Sequence, residues 1–161
     1  MIQKKPITEE QALKKMGNFC AKAEHCSSEI MDKMYKMGLS EEAKVRILGK
    51  LFDYGYINDE RYTKAFISDK IKYNKWGRRK IEQALWAKHI DSNIYTPALD
   101  AIPDEEYLTV LRPLLKNKYP SINANNDYER SVKLIKYGLS KGFSFDLIKQ
   151  CVDTVIDEEE L

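Results

Sequence analysis

The sequence predicts an all-α protein of three tandem three-helix units, helix-turn-helix-like, strung into an elongated, curved molecule. Three observations carry this. Apolar residues recur at spacings of three and four almost throughout. Strand-like alternation and the Asn-Gly or Asp-Gly hairpin signal are absent. Finally, Gly38-Leu39, His89-Ile90 and Gly142-Phe143 can be set in register so that one apolar grid returns three times.

The helices follow in order. Thr8-Glu9-Glu10-Gln11 reads as a capping box that opens the first. A second runs from about Ser27 to Met37 and stops at Gly38, a residue able to take the left-handed cap conformation. A third opens at Ser40, presents Ala43, Ile47, Leu48 and Leu51 on one face, and ends near Gly55. Asn58 caps a fourth carrying Tyr62, Ala65, Phe66 and Tyr73, and a fifth follows Gly77 with Ile81, Ala84 and Leu85. A sixth starts near Ser92. A seventh starts after Pro103, where Asp104, Glu105 and Glu106 complement the positive helix end. An eighth spans roughly Asp127 to Lys141, and a ninth starts at Ser144 with Leu147, Ile148, Cys151, Val152 and Val155. Pro113 should kink the seventh helix, and Gly138 should weaken the eighth by about 1 kcal/mol. Residues 119–126 read as a loop.

In the threefold register an apolar residue (Ile30, Ile81, Leu134) stands eight positions before each turn. Leu48 and Leu51, Leu99 and Ile102, and Val152 and Val155 follow at fixed offsets. Neighbouring units are expected to cover each other's apolar edges. The expected division is 1–57, with a short N-terminal tail, then 58–102, 103–156, and an acidic tail over 157–161 that should be frayed and solvated.

Composition narrows the function. The chain has 161 residues, 43% apolar and 32% charged, which excludes wholesale disorder. No run approaches the roughly 20 apolar residues of a spanning helix, and the basic Met1–Pro6 segment lacks the apolar core of a secretory signal. Three cysteines, Cys20, Cys26 and Cys151, suit free thiols in a reducing cytoplasm better than a disulfide framework. Cys20, His25 and Cys26 have no fourth ligand at zinc spacing, so no metal is expected. Neither a nucleophile–histidine constellation nor a phosphate-cradling loop appears, so no catalytic centre and no cofactor are expected.

A net charge of +2 is too balanced for a chain whose main partner is bulk nucleic acid. It is uneven, however: the span from Lys64 to Lys88 holds eight basic residues against two acids, Asp69 and Glu82. Lys70, Lys72, Lys75, Arg78, Arg79 and Lys80 are the candidate contacts to acidic side chains or phosphates. Trp76 and Tyr73 interleave with them; packing or a turn anchor accounts for the rings, with base stacking as the alternative. A helix-turn-helix DNA reader needs basic or amide side chains on the third helix of a unit. The middle unit has no basic residue there, the last only Lys149, and the first Lys44, Arg46 and Lys50 beside Glu41 and Glu42. A helix-turn-helix-type DNA-binding regulator is therefore the alternative rather than the leading reading.

Asn58-Asp59-Glu60-Arg61-Tyr62-Thr63-Lys64-Ala65-Phe66 is followed by Trp76-Gly77-Arg78-Arg79-Lys80-Ile81, Leu85, Lys88-His89-Ile90 and later Lys141-Gly142-Phe143-Ser144-Phe145. These runs resemble the RecX regulatory family of bacteria, over about residues 10–156. His89 departs from the pattern, standing where the family usually has Gly. The resemblance implies three tandem three-helix units and a protein that binds the RecA recombinase, chiefly the RecA–single-stranded DNA filament. By lying in the filament groove it would restrain recombinase, ATPase and co-protease activities, and so act on DNA repair, recombination and the SOS response. A cytoplasmic, non-membrane, non-enzymatic monomer is expected, with room for weak unspecific DNA contact. Asp59, Arg61, Tyr62, Phe66, Trp76, Gly77, Ile81 and Leu85 carry the family motif and are expected to be structural. Asp59 should hold the start of its own helix, and Arg61 should pair with Asp59 or Glu82.

Overall fold

The computed structural model describes residues 6–160, with the side chains of 157–160 outside the description. The basic N-terminal residues 1–5 and Leu161 also lie outside it. Among the described residues there are nine α-helices and no strand: α1 (Glu9–Lys22), α2 (Ser27–Tyr35), α3 (Glu41–Asp53), α4 (Asp59–Lys72), α5 (Arg78–Ala87), α6 (Ser92–Asp100), α7 (Asp104–Lys118), α8 (Asp127–Ser140) and α9 (Phe145–Glu160). No described helix is long and apolar enough to cross a membrane.

Local chemistry sets the helix starts. Thr8 and Gln11 exchange both bonds of a capping box at 3.0 and 3.1 Å. Ser40, Asn58, Asp91 and Asn126 each accept a backbone N–H from the first turn of the helix they open. The expected loop at 119–126 begins with a 3₁₀ turn, Tyr119–Ser121, whose Pro120 suits a helical start. Helix α9 continues to Glu160, so the backbone of residues 157–160 is helical where a frayed tail was expected. Pro113 does not end α7, and α6 carries a second internal proline, Pro97.

The helices pack in threes. In the first and third sets the last helix lies against both of its predecessors, α3 on α1 and α2, and α9 on α7 and α8; α6 lies likewise on α4 and α5. The threefold register is visible in the backbone. Gly38, His89 and Gly142 all take positive φ, at 75, 60 and 93°. Each donates its N–H to the carbonyl three residues earlier: Tyr35 at 3.1 Å, Trp86 at 3.0 Å and Leu139 at 3.0 Å. The predicted core positions Ile30, Ile81 and Leu134 are fully buried, as are Leu51 and Leu99, with Val152 and Val155 nearly so.

The apolar core does not run evenly through the molecule. One cluster joins the second and third sets, with α4 packed on α7. The first set has its own cluster around Met16, Ile30, Met34, Ile47 and Leu51, and of its residues only Cys26 belongs to the larger core. Mutual covering of apolar edges therefore holds between the second and third sets, whereas the first is joined mainly through polar groups. The accessible surface, 10628 Å², exceeds the roughly 8300 Å² of a compact chain of this mass, as an extended arrangement requires.

Gly138 is explained by packing. A Cβ there would lie 2.8 Å from Ile148 Cγ1, so the glycine admits a side chain of α9 into the surface of α8. Its helix-propensity cost of about 1 kcal/mol is the counterpart of burying Ile148 completely.

Candidate partner-binding surface

The motif residues build two joints, each placing the start of one set's second helix against the turn of the next set. At the first joint Ser28 Oγ donates to the carbonyl of Lys88 at 2.6 Å, just before the left-handed His89. At the second, Gly77 N–H donates to the carbonyl of Lys141 at 2.8 Å and Arg79 N–H to that of Gly142 at 3.1 Å. The backbones approach so closely that a Cβ on Gly77 would lie 2.3 Å from the Phe143 nitrogen, and one on Gly142 2.5 Å from Lys80 Cβ. Gly77 has an ordinary φ of −87°, so it is the close approach that requires glycine.

Two expectations about the first joint are corrected. Asn58 caps α4 as the sequence predicts, accepting from Arg61 N–H at 3.0 Å, but Asp59 is not given over to the start of its own helix. Asp59 reaches across to α2, where its carboxylate accepts the Ser27 N–H and hydroxyl at 2.9 and 2.7 Å. Arg61 pairs with neither Asp59 nor Glu82; its Nε donates to Glu24 at 2.5 Å and its Nη2 to the Gly55 carbonyl at 3.1 Å.

Behind them Glu29 is a hub. It accepts from His25 Nδ1 at 3.2 Å, from Cys26 Sγ at 3.3 Å and from Tyr62, with Lys88 Nζ at 3.8 Å. Burial opposes the charge on Glu29, but these hydrogen bonds and the nearby ammonium outweigh it and hold the carboxyl below its usual range. Burial, then the Glu29 carboxylate, push the Tyr62 phenol far up. His25 stacks on Phe19 with centroids 3.9 Å apart. Cys20 and Cys26 are buried thiols whose pKa burial raises. Among the described residues no three His, Cys, Asp or Glu side chains gather to hold a metal ion.

The basic stretch is sorted by its neighbours. Trp76, half-buried against the core, lies beneath Lys70 at 5.0 Å and Lys80 at 4.9 Å, and Lys70 also lies 5.2 Å from the Phe66 ring. Phe66 in turn stacks on the buried Tyr62. Lys72 sits 5.5 Å over the exposed ring of Tyr73. Arg78 is neutralised by Asp100 at 2.6 Å. Lys75 forms an exposed turn at φ 56°. Arg79 is exposed, and among the described residues its guanidinium has no partner. Ile81 and Leu85 are fully buried. Sequence reasoning missed Glu24, Ser27, Ser28 and Glu29, whose roles depend on contacts 32 to 60 residues away. It also missed Asp100, which removes one of the expected free cations.

An all-α chain of repeated three-helix units, joined by polar and glycine contacts and bearing a cation-rich middle, belongs to the class of tandem helical-repeat proteins. Residues 58–99 match the family model for the second three-helix domain of RecX, and residues 104–152 that for the third. The chain belongs to the RecX family. Relatives called "Regulatory protein RecX" include one from Clostridium perfringens, 29% identical over 133 residues, covering 81% of this chain and 62% of that protein. Another, from Finegoldia magna, is 30% identical over 141 residues, covering 83% and 66%. The chain thus spans less than two thirds of the length of these relatives. A crystal structure of RecX from Lactobacillus salivarius has a TM-score of 0.77 at 26% identity, covering 93% of this chain and 95% of that one. A second crystal structure of a regulatory protein RecX shares the fold, with a TM-score of 0.82 at 22% identity, covering 90% and 73%.

Proposed function

We propose that this protein binds RecA assembled on single-stranded DNA and restrains its recombinase, ATPase and co-protease activities, so regulating DNA repair and recombination. The observation that carries the reading is the match of two consecutive units to the second and third three-helix domains of RecX, with relatives that bear a regulatory name. The Lys70–Lys80 stretch supports it, since it offers cations to acidic side chains or phosphates. Lys72, Lys75 and Arg79 are the members least engaged within the chain, and they carry the contact; Arg78 is held by Asp100. The protein acts as a cytoplasmic monomer, its direct contact with DNA weak and unspecific.

The test is the ATPase rate of RecA on single-stranded DNA with the protein added below stoichiometry. The rate should fall and filaments shorten. Lys72→Glu with Arg79→Glu should relieve the inhibition while helicity is unchanged. An unaltered rate and filament length with the parent chain would refute the proposal. Tight, sequence-selective binding to duplex DNA would favour the helix-turn-helix alternative.

A further inference from the structure

The three left-handed turns that define the repeat carry a second recurrent feature, which the core does not use. The residue three positions before each turn is a large apolar side chain left in solvent: Tyr35, 72% exposed, Trp86, 72%, and Leu139, 44%. Their carbonyls are the ones that accept the turn N–H groups, so all three stand at one fixed place in the repeat. Folding accounts for the residue just before each, since Met34, Leu85 and Gly138 are buried. These it leaves largely in solvent, with Lys44 Nζ 5.1 Å from the Tyr35 ring. A single exposed apolar residue is ordinary, but the same position exposed in every repeat is a patterned surface.

Charge accompanies the pattern. Two shallow recesses meet at Arg79 and Gln83; one extends past Glu82 to Trp86, the other to Leu139. The guanidinium of Arg79, without a partner among the described residues, thus lies between two apolar posts.

We propose that this face docks a protein made of identical subunits in a row, each presenting an apolar hollow beside a carboxylate, so that successive posts engage successive subunits. The inference rests on the filament reading above and adds the face and its chemistry. Periodicity on one partner is matched by periodicity on the other, and Arg79 supplies the complement to an acidic rim. A nucleic acid fits less well. Leu139 has no ring on which a base could stack, and Glu82 beside Trp86 repels phosphate.

The experiment compares co-sedimentation of the full chain and its variants with RecA on single-stranded DNA, with parallel measurements on single-stranded DNA alone. Trp86→Gln should weaken filament binding about tenfold, equivalent to about 1.4 kcal/mol. The triple variant Tyr35→Gln, Trp86→Gln, Leu139→Gln should abolish it. Tyr128→Gln, equally exposed but outside the register and away from the basic stretch, should leave it unchanged. Circular dichroism and melting of all variants should match the parent. If the parent and the triple variant pellet alike, the face is wrong and the filament reading stands. If the parent does not pellet, the filament reading fails and this proposal with it. Parallel loss of binding to free single-stranded DNA, or a parent that self-associates through this face, would each overturn the choice of partner.

Discussion

Asp59 and Ser27, 32 residues apart, are joined by two hydrogen bonds: the carboxylate takes the Ser27 N–H at 2.9 Å and its hydroxyl at 2.7 Å. Ser27 opens α2, so an anion from one set of helices satisfies an orphan donor, and meets the positive helix end, of another. Because the first set shares little apolar core with the rest, this polar joint does much to fix its position.

Asp59→Ala should therefore destabilise the protein by roughly 2 kcal/mol, the worth of charge-assisted hydrogen bonds left unmade. A double-mutant cycle with Ser27→Ala should show a coupling of about 1 kcal/mol, read from denaturant midpoints. Amide hydrogen exchange should quicken in α1–α3 and stay unchanged in α7–α9. Uniform acceleration across the chain would refute a joint that governs the first set alone.

Two glycines of different kinds should respond differently to alanine. At Gly77 a Cβ would collide with the backbone of the next set at 2.3 Å, so Gly77→Ala should cost about 3 kcal/mol or more. At Gly38 nothing lies within 4 Å and only the φ of +75° resists a side chain, so Gly38→Ala should cost about 1 kcal/mol. Chemical denaturation of the two variants checks the ranking; equal costs would contradict the close approach.

His89 is held at φ 60°, the position filled by glycine in the other two turns. Left-handed backbone costs a non-glycine residue roughly 1–2 kcal/mol, part of which the freer unfolded chain of a glycine variant offsets. His89→Gly should thus stabilise by about 0.5–1 kcal/mol and raise the melting temperature by a few degrees. A fall in melting temperature would mean that the imidazole makes a contact worth more than the strain.

Glu29 sets the acid limb of stability. Its carboxyl titrates below the usual range in the folded chain and near 4.3 when unfolded. The stability it contributes is complete above the unfolded value and is lost as pH falls through the folded one. Glu29→Gln should flatten the dependence of the denaturation midpoint on pH below about 4. An unchanged acid slope would show that the hub does not distinguish folded from unfolded carboxylate.

Tyr107 acts at the alkaline end. Burial, opposed by Arg78 and reinforced by Glu106, Asp104 and Glu82, pushes its phenol up to about 12. A folded value above the ordinary one, near 10, means that its stabilising effect is whole below about pH 10 and is lost as pH climbs toward the folded value. The hydroxyl is buried and, among the described residues, has no hydrogen-bond partner. Tyr107→Phe should therefore be neutral, or stabilise by up to about 1 kcal/mol, and should lessen the alkaline loss. Ultraviolet titration and melting across that range test both parts.

Much of the fold was legible because its signals are local. Thr8 with Gln11 and the cap residues Ser40 and Asn58 act within one helical turn, and each does what its neighbours dictate. The candidate cations were visible as a run, but a run does not reveal which members are already occupied. Trp76 beneath Lys70 and Lys80, and Asp100 against Arg78, depend on how α4, α5 and α6 are packed.

By itself, then, the sequence determined the helices, their threefold register and the left-handed turn at Gly38, since spacing and backbone preference operate over a few residues; the left-handed turn at the non-glycine His89 was not legible in this way. Only the tertiary structure decided that Asp59 serves α2, that Arg61 meets Glu24, and that Gly77 and Gly138 are glycines for want of room. Those relationships arise where segments distant along the chain come within a few ångströms. Which segments do so is set by the packing of one helical set on the next, and no local pattern encodes it.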